Sequence, residues 1–122
     1  MDYRSPQDIN RDALLRVIES GSSAEICAAL VDAVHSIHDA EWLQKIFIKQ
    51  LTVPDVEVQG AAITCLGHLA RLHRRIDVDS LIGPFQRIFA DQPVLRGRLN
   101  DVVDDLQVFL GVDISQRLLS NK

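Results

Sequence analysis

Polar side chains recur every three or four residues between positions 57 and 75, the spacing that places them on one face of a helix. The members of this stripe are Glu57, Gly60, Thr64, His68, Arg71 and Arg75. A hydroxyl, an imidazole and a guanidinium can donate or accept hydrogen bonds across an interface. We therefore predict that Thr64, His68 and Arg71 bind a partner. The alternative is a solvated face closed by ion pairs between neighbouring helices, such as Arg71 with Asp101 or Asp104.

Three carboxylates, Asp101, Asp104 and Asp105, cluster in the last long helical segment. Asp101 and Asp105 are four residues apart and repel each other slightly on a helix. A partner that supplies lysine or arginine would relieve this repulsion, so we predict that all three bind the same partner. The alternative is that Asp101 only complements the helix dipole, because it lies in the N-terminal half of the helix.

Catalytic and metal-binding patterns are scarce. The sequence has no Gly-rich phosphate loop, no nucleophile elbow and no H-E-x-x-H motif. His35 and His38 are three residues apart and precede Asp39, a set that could serve a small metal-dependent enzyme. No further ligand pattern accompanies them. We therefore predict no catalytic residue, no metal site and no cofactor.

The overall composition restricts the partner class. The chain has 122 residues, of which 47% are hydrophobic, and a net charge of −4. This acidity disfavours direct nucleic-acid binding and suits a basic protein partner. No apolar run approaches the roughly 20 residues that span a bilayer, and the polar start, Met1 to Gln7, does not resemble a signal peptide. We expect one cytoplasmic domain over residues 1–122, without membrane contact.

Helical periodicity runs through the whole chain, and no segment alternates with period two. We predict an all-α fold of six main helices in three antiparallel hairpins, with a short closing turn that carries Ile114. The expected connections lie near residues 21–23, 37–40, 52–55, 74–78 and 91–94. The expected helix-start signals are Ser5-Pro6, Asp39 and either Asp77 or Asp79, and the expected helix end is Gly111.

The second, fourth and sixth helices resemble one another. Leu30, Leu66 and Leu106 occupy equivalent positions, 36 and 40 residues apart, a period typical of paired-helix solenoids. We predict three stacked hairpins, with a compact helical bundle as the alternative. In a stack the second helices line one surface, where further polar residues would join the stripe. The residues expected there are Glu25, Asp32, Ser36, Arg96, Asn100, Asp104 and Gln107.

The segment from Asp39 to Arg74, DAEWLQKIFIKQLTVPDVEVQGAAITCLGHLARLHR, resembles a HEAT repeat. The matching positions are Leu51, Pro54-Asp55, Val58, Ala61-Ala62, Leu66-Gly67 and Leu69. Gln59 departs from the basic residue usual in that family, which weakens the expected ladder between repeats. With a looser match over 81–110, the resemblance covers about two thirds of the chain. It implies an ARM-like helical stack, and such stacks serve many binding roles.

A short chain of this type, with TCLGHLARLH followed by an acidic last helix, is similar to bacterial immunity proteins. Those proteins are encoded beside polymorphic or contact-dependent growth-inhibition toxins and block the toxin by direct binding. The resemblance implies a non-catalytic protein that neutralises a cognate toxin, and the acidic charge suits a nuclease with a basic cleft. The alternatives are a cytosolic HEAT-type adaptor or scaffold and the small metal-dependent enzyme. A nucleic-acid-binding solenoid is disfavoured by the charge.

Overall fold

The computed structural model describes residues 7–119. This part of the chain contains seven α-helices, one short 3-10 helix at Pro93–Leu95, and no strand. The helices are α1 (Arg11–Ser20), α2 (Ser23–Ser36), α3 (Ala40–Gln50), α4 (Val56–Leu72), α5 (Asp79–Asp91), α6 (Arg96–Leu110) and α7 (Ser115–Leu119). The predicted all-α class is confirmed, and the predicted closing turn is the short helix α7.

Local capping explains most helix boundaries. Ser22 and Glu25 form a reciprocal capping box at the start of α2. Asp39 accepts a hydrogen bond from the Trp42 backbone N–H at 3.1 Å, as predicted for α3. Asp55 caps α4 in the same way. Gly111 ends α6 in the left-handed conformation with φ 69°, which confirms the predicted end of that helix.

Two predicted helix starts are wrong. Residues 7–10 are not helical, so α1 begins at Arg11, where the Asn10 side chain accepts from the Ala13 N–H at 2.8 Å. The proposed Ser5-Pro6 signal lies outside the described residues. Neither acidic candidate caps α5, because the Asp77 carboxylate accepts from the Ser80 hydroxyl at 2.6 Å and α5 has no side-chain cap.

Helix α4 lies at the centre of the molecule and contacts α2, α3 and α6. Gly60 meets Arg98, and Gly67 meets Asp105, so α4 and α6 run in the same direction with an offset of 38 residues. Helices α1 and α3 pack on their partners α2 and α4, and α7 packs on α5. This arrangement agrees with stacked hairpins and with a compact helical bundle.

The core is built mainly from aliphatic side chains and two phenylalanines. Phe47 on α3 and Phe85 on α5 are fully buried, as is Ile114 before α7. Together with the buried leucines of α4 and α6 they form one hydrophobic cluster. This cluster fixes the face of α4 that points to solvent. None of the helices described is long and apolar enough to span a membrane.

Candidate functional site

The polar stripe of α4 reaches the surface between α2 and α6. Thr64 and His68 are half-buried, and Arg71 is exposed. The opposite side of α4 is buried, including Val58, Ala62 and Leu66. The predicted helical spacing therefore places Thr64, His68 and Arg71 on one face of α4.

Arg98 joins α4 to α6 at one end of this stripe. Its Nη1 donates to the Gly60 carbonyl oxygen at 3.2 Å and to the Thr64 hydroxyl oxygen at 2.9 Å. A Cβ on Gly60 would lie 3.1 Å from the Arg98 Nε, so the absence of a side chain lets the guanidinium lie along α4. The sequence prediction missed Arg98, although its 38-residue offset from Gly60 falls within the 36- to 40-residue spacing of the equivalent leucines.

The acidic cluster lies beside the same stripe. Asp105 packs over Gly67, where an added Cβ would lie 2.8 Å from the Asp105 Oδ2. Asp105 is half-buried, whereas Asp101 and Asp104 are exposed. We call the surface formed by Thr64, His68, Arg71, Arg98, Asp101, Asp104 and Asp105 the α4–α6 face. The structure thus places all six predicted binding residues on two adjoining helices.

The aspartates of the α4–α6 face have no ion-pair partner among residues 7–119. The ion pairs formed within that range are Arg11 with Asp39 and Arg117 with Asp79. The pair weighed as the alternative, Arg71 with Asp101 or Asp104, is therefore not formed. Instead, Arg71 Nη2 donates to His68 Nδ1 within α4.

His68 lies between groups from three helices. The His35 ring of α2 has its centroid 6.4 Å from that of His68, and Asp105 of α6 lies near enough to act on its charge. Burial is the main cause that lowers the pKa of His68 below its usual value of 6.5. Arg71 and His35 lower this pKa further, against the opposing effect of Asp105. Together these effects favour the neutral form of the imidazole.

Two other residues of α2 predicted on this surface lie elsewhere. Asp32 is buried, and its Oδ1 accepts from the Gln7 N–H at 2.9 Å. The Ser36 hydroxyl donates to the Gln7 carbonyl oxygen and accepts from the Ile9 N–H. Both predictions are wrong because these side chains hold the extended residues before α1.

Two charged residues predicted on the surface have local partners. The Glu25 carboxylate accepts from the Ser22 N–H at the start of its own helix. Arg96 donates to the Phe89 carbonyl oxygen at 2.7 Å, and its guanidinium lies 4.6 Å from the centre of the Phe89 ring. Both side chains therefore stabilise helix ends. Asn100 and Gln107 are exposed on α6, as expected of a surface position.

The residues considered for a metal-dependent enzyme do not converge. His35 neighbours His68, whereas His38 neighbours His73 with ring centroids 6.4 Å apart. Asp39 is engaged by the Trp42 N–H and by Arg11. Within residues 7–119, no group of three histidine, cysteine, aspartate or glutamate residues could hold a metal ion.

An open groove lies between α1 and α2, away from α6. This open groove has a volume of about 640 Å³, and its lining includes Ile9, Val17 and Ala28. Its other lining residues include Asp32, which is already engaged by the Gln7 backbone. The groove is lined mainly by apolar and small side chains, although Arg16 and Glu25 also border it.

Comparison with known proteins finds a similar solved structure. No protein-family model matches the chain, and no curated protein matches it. A chain in a solved structure described as "Crystal structure of CDI complex from Cupriavidus taiwanensis LMG 19424" is similar, with a TM-score of 0.76 and 28% sequence identity. The match covers 89% of this chain and 96% of that chain.

Proposed function

We propose that this protein is an immunity protein that binds and neutralises the toxin of a contact-dependent growth-inhibition system. The observation that carries the proposal is the similarity to a chain of a CDI complex over nearly the full length of both chains. We infer that this chain would take the immunity role in a complex of that kind. The all-helical packing and the accessible polar face support the immunity role.

The proposed contact surface is the α4–α6 face. Its three aspartates have no ion-pair partner within residues 7–119, and Asp105 is already half-buried in the free chain. A toxin that contributes lysine or arginine would gain charge-assisted hydrogen bonds there. Thr64, His68, Arg71 and Arg98 would add donors and acceptors across α4.

The toxin class that best fits this surface is a nuclease. An enzyme that binds RNA or DNA needs cations for the phosphates, and the aspartates would occupy that cleft in place of the nucleic acid. Opposite charges would also speed association. In this proposal the protein acts in the cytoplasm, has no catalytic activity, and stacks its hairpins in the HEAT manner. The packing of α4 between α2 and α6 supports that stacking.

The first test is protection by co-expression. The toxin encoded beside this gene should kill cells alone, whereas the wild-type chain should restore growth and co-purify with the toxin. The proposal is wrong if the wild-type chain neither protects nor forms a complex.

The second test locates the surface. The double variant Asp104→Ala, Asp105→Ala should weaken binding by about 2–5 kcal/mol, or roughly 30-fold to several thousand-fold, if the partner cation becomes buried. The control Asp79→Ala, Asp91→Ala removes the same charge from exposed positions on α5 and should leave affinity within about threefold of wild type, because exposed charges contribute little. Equal losses in the two variants would exclude the α4–α6 face.

A further inference from the structure

The hydrogen bond between Arg71 and His68 fixes the proton on the imidazole. A guanidinium has only N–H donors and stays charged, so it cannot accept a hydrogen bond. Arg71 Nη2 donates to His68 Nδ1, and Nδ1 is therefore the unprotonated ring nitrogen. The single ring proton of His68 lies on Nε2.

Three helices contribute a charged or titratable neighbour to His68. Arg71 belongs to the same helix, His35 comes from α2, and Asp105 comes from α6. Burial of the ring, Arg71 and His35 disfavour the imidazolium, and together they outweigh Asp105, so the pKa of His68 lies below 6.5. Uptake of a proton must occur at Nδ1, because Nε2 already carries one. The bond to Arg71 is then lost.

We propose that His68 is a pH-sensitive positioning residue for the α4–α6 face: neutral His68 holds Arg71 along α4, and proton uptake at Nδ1 releases Arg71 and places a cation beside Asp105. The effect of this switch on toxin binding rests on the proposed function. A toxin cation drawn to Asp105 meets a second cation once His68 is protonated. Affinity for the toxin should therefore fall on acidification.

The proton balance sets the size of the effect. If the toxin binds only the neutral form, one proton leaves the chain for each protonated molecule that binds. The dissociation constant then rises up to tenfold per pH unit below the pKa of His68 in the free chain. Above that pKa, this residue adds no pH dependence.

The first experiment uses the free chain and needs no toxin. Nitrogen-resolved NMR of the imidazole should show the Nε2–H tautomer for His68 at pH 7.5 and a titration below pH 6.5. Arg71→Gln should raise that pKa, because it removes the neighbouring cation and leaves a neutral side chain. A His68 that carries its proton on Nδ1, or that titrates above 6.5, overturns the proposal.

The second experiment measures affinity for the neighbouring toxin from pH 5 to pH 8. In His68→Asn the amide oxygen can replace Nδ1 as an acceptor for Arg71, but this side chain does not titrate. The acid-side loss seen in the wild type should be absent in His68→Asn, whatever its affinity at pH 7.5. The matched control His35→Asn should keep most of the slope. An unchanged slope in His68→Asn overturns the proposal.

The two experiments separate this inference from the proposed function. Failure of the wild-type chain to bind the toxin at pH 7.5 overturns the immunity role and the binding consequence together. The NMR result on the free chain still decides whether the protonation of His68 controls the position of Arg71.

Discussion

The charges on the two sides of the molecule are arranged differently. On the side of α1, α3, α5 and α7, Arg11 pairs with Asp39 and also lies 4.7 Å from the centre of the Trp42 ring. Arg117 pairs with Asp79 at 3.0 Å. On the α4–α6 face, three aspartates have no such pair within residues 7–119. Two carboxylates on the first side are paired internally, whereas the three aspartates of the α4–α6 face are left available to a partner.

The helix contacts beneath these two surfaces also differ in the polarity of the side chains at their edges. Leu43 and Phe47 are fully buried at the contact between α3 and α4. The contact between α4 and α6 also buries apolar side chains, among them Leu99 and Leu106, but at its edge it places Arg98 on Gly60 and Asp105 on Gly67. The large apolar side chains between α3 and α4 stabilise the fold, while Gly60 and Gly67 let charged side chains of α6 lie flat beside the stripe. The contrast predicts that variants of the two regions affect different measurements.

The largest expected loss of stability follows truncation of the buried aromatic on α3. Phe47→Ala should lower the free energy of unfolding by about 3–5 kcal/mol, because it leaves a cavity in the core. Urea denaturation followed by circular dichroism measures this change. Val108→Ala, at a position that is 73% exposed, should change stability by less than about 0.5 kcal/mol. A loss below about 1 kcal/mol for Phe47→Ala would contradict the packing described.

A smaller loss should follow removal of a buried amide on the same side. Gln44 Nε2 donates to the Asp77 carbonyl oxygen, and its Oε1 accepts from the Asp77 N–H, both at 2.8 Å. Gln44→Leu should cost about 1–3 kcal/mol, because two backbone groups lose their partner. Gln107→Leu on exposed α6 is the matched control and should be nearly neutral. Equal denaturation midpoints for the two variants would refute this structural role.

Two glycine substitutions test the contact between α4 and α6. Gly97→Ala meets open space on α6 and should stabilise the protein by about 0.5–1 kcal/mol through helix propensity. In Gly67→Ala the new Cβ must displace the Asp105 carboxylate, so the gain in stability should be smaller. Gly67→Ala should also weaken toxin binding, whereas Gly97→Ala serves as the control for altered stability. Equal stabilisation by both substitutions would mean that Asp105 does not pack on Gly67.

The smallest expected effect on stability is the pH dependence contributed by His68. Its pKa is lowered in the folded chain, so below pH 6.5 the unfolded chain takes up a proton before the folded chain does. This contribution to stability is complete above pH 6.5 and is lost as pH falls towards the folded pKa. The free energy of unfolding, measured between pH 5 and pH 7.5, should therefore vary less with pH for His68→Asn than for wild type. A stronger pH dependence of stability in the variant than in the wild type would contradict a lowered pKa for His68.

The sequence predicts those features of the fold that depend on local pattern. Helical spacing identified the stripe with Thr64, His68 and Arg71, and short-range capping located Asp39 and Gly111. These signals act within one helix turn and do not depend on distant packing.

Other features depend on contacts between distant segments and could not be predicted in this way. Residues 7–10 stay extended because Asp32 and Ser36 bind their backbone. Arg74 adopts a left-handed conformation with φ 52° although it is not glycine, while its guanidinium lies 5.5 Å from the centre of the Phe109 ring. The contact of Arg98 with Gly60 and Thr64 is also made across 34 to 38 residues.

The most direct test of the central claim is amide hydrogen exchange of the chain, free and bound to the toxin encoded beside it. Binding through the α4–α6 face should slow exchange in the exposed parts of α4 around residues 64–72 and of α6 around residues 98–108. Helices α1 and α3 should exchange as in the free chain. Protection confined to α1 and α2, around the groove lined by Ile9 and Val17, with none on α6, would contradict the account.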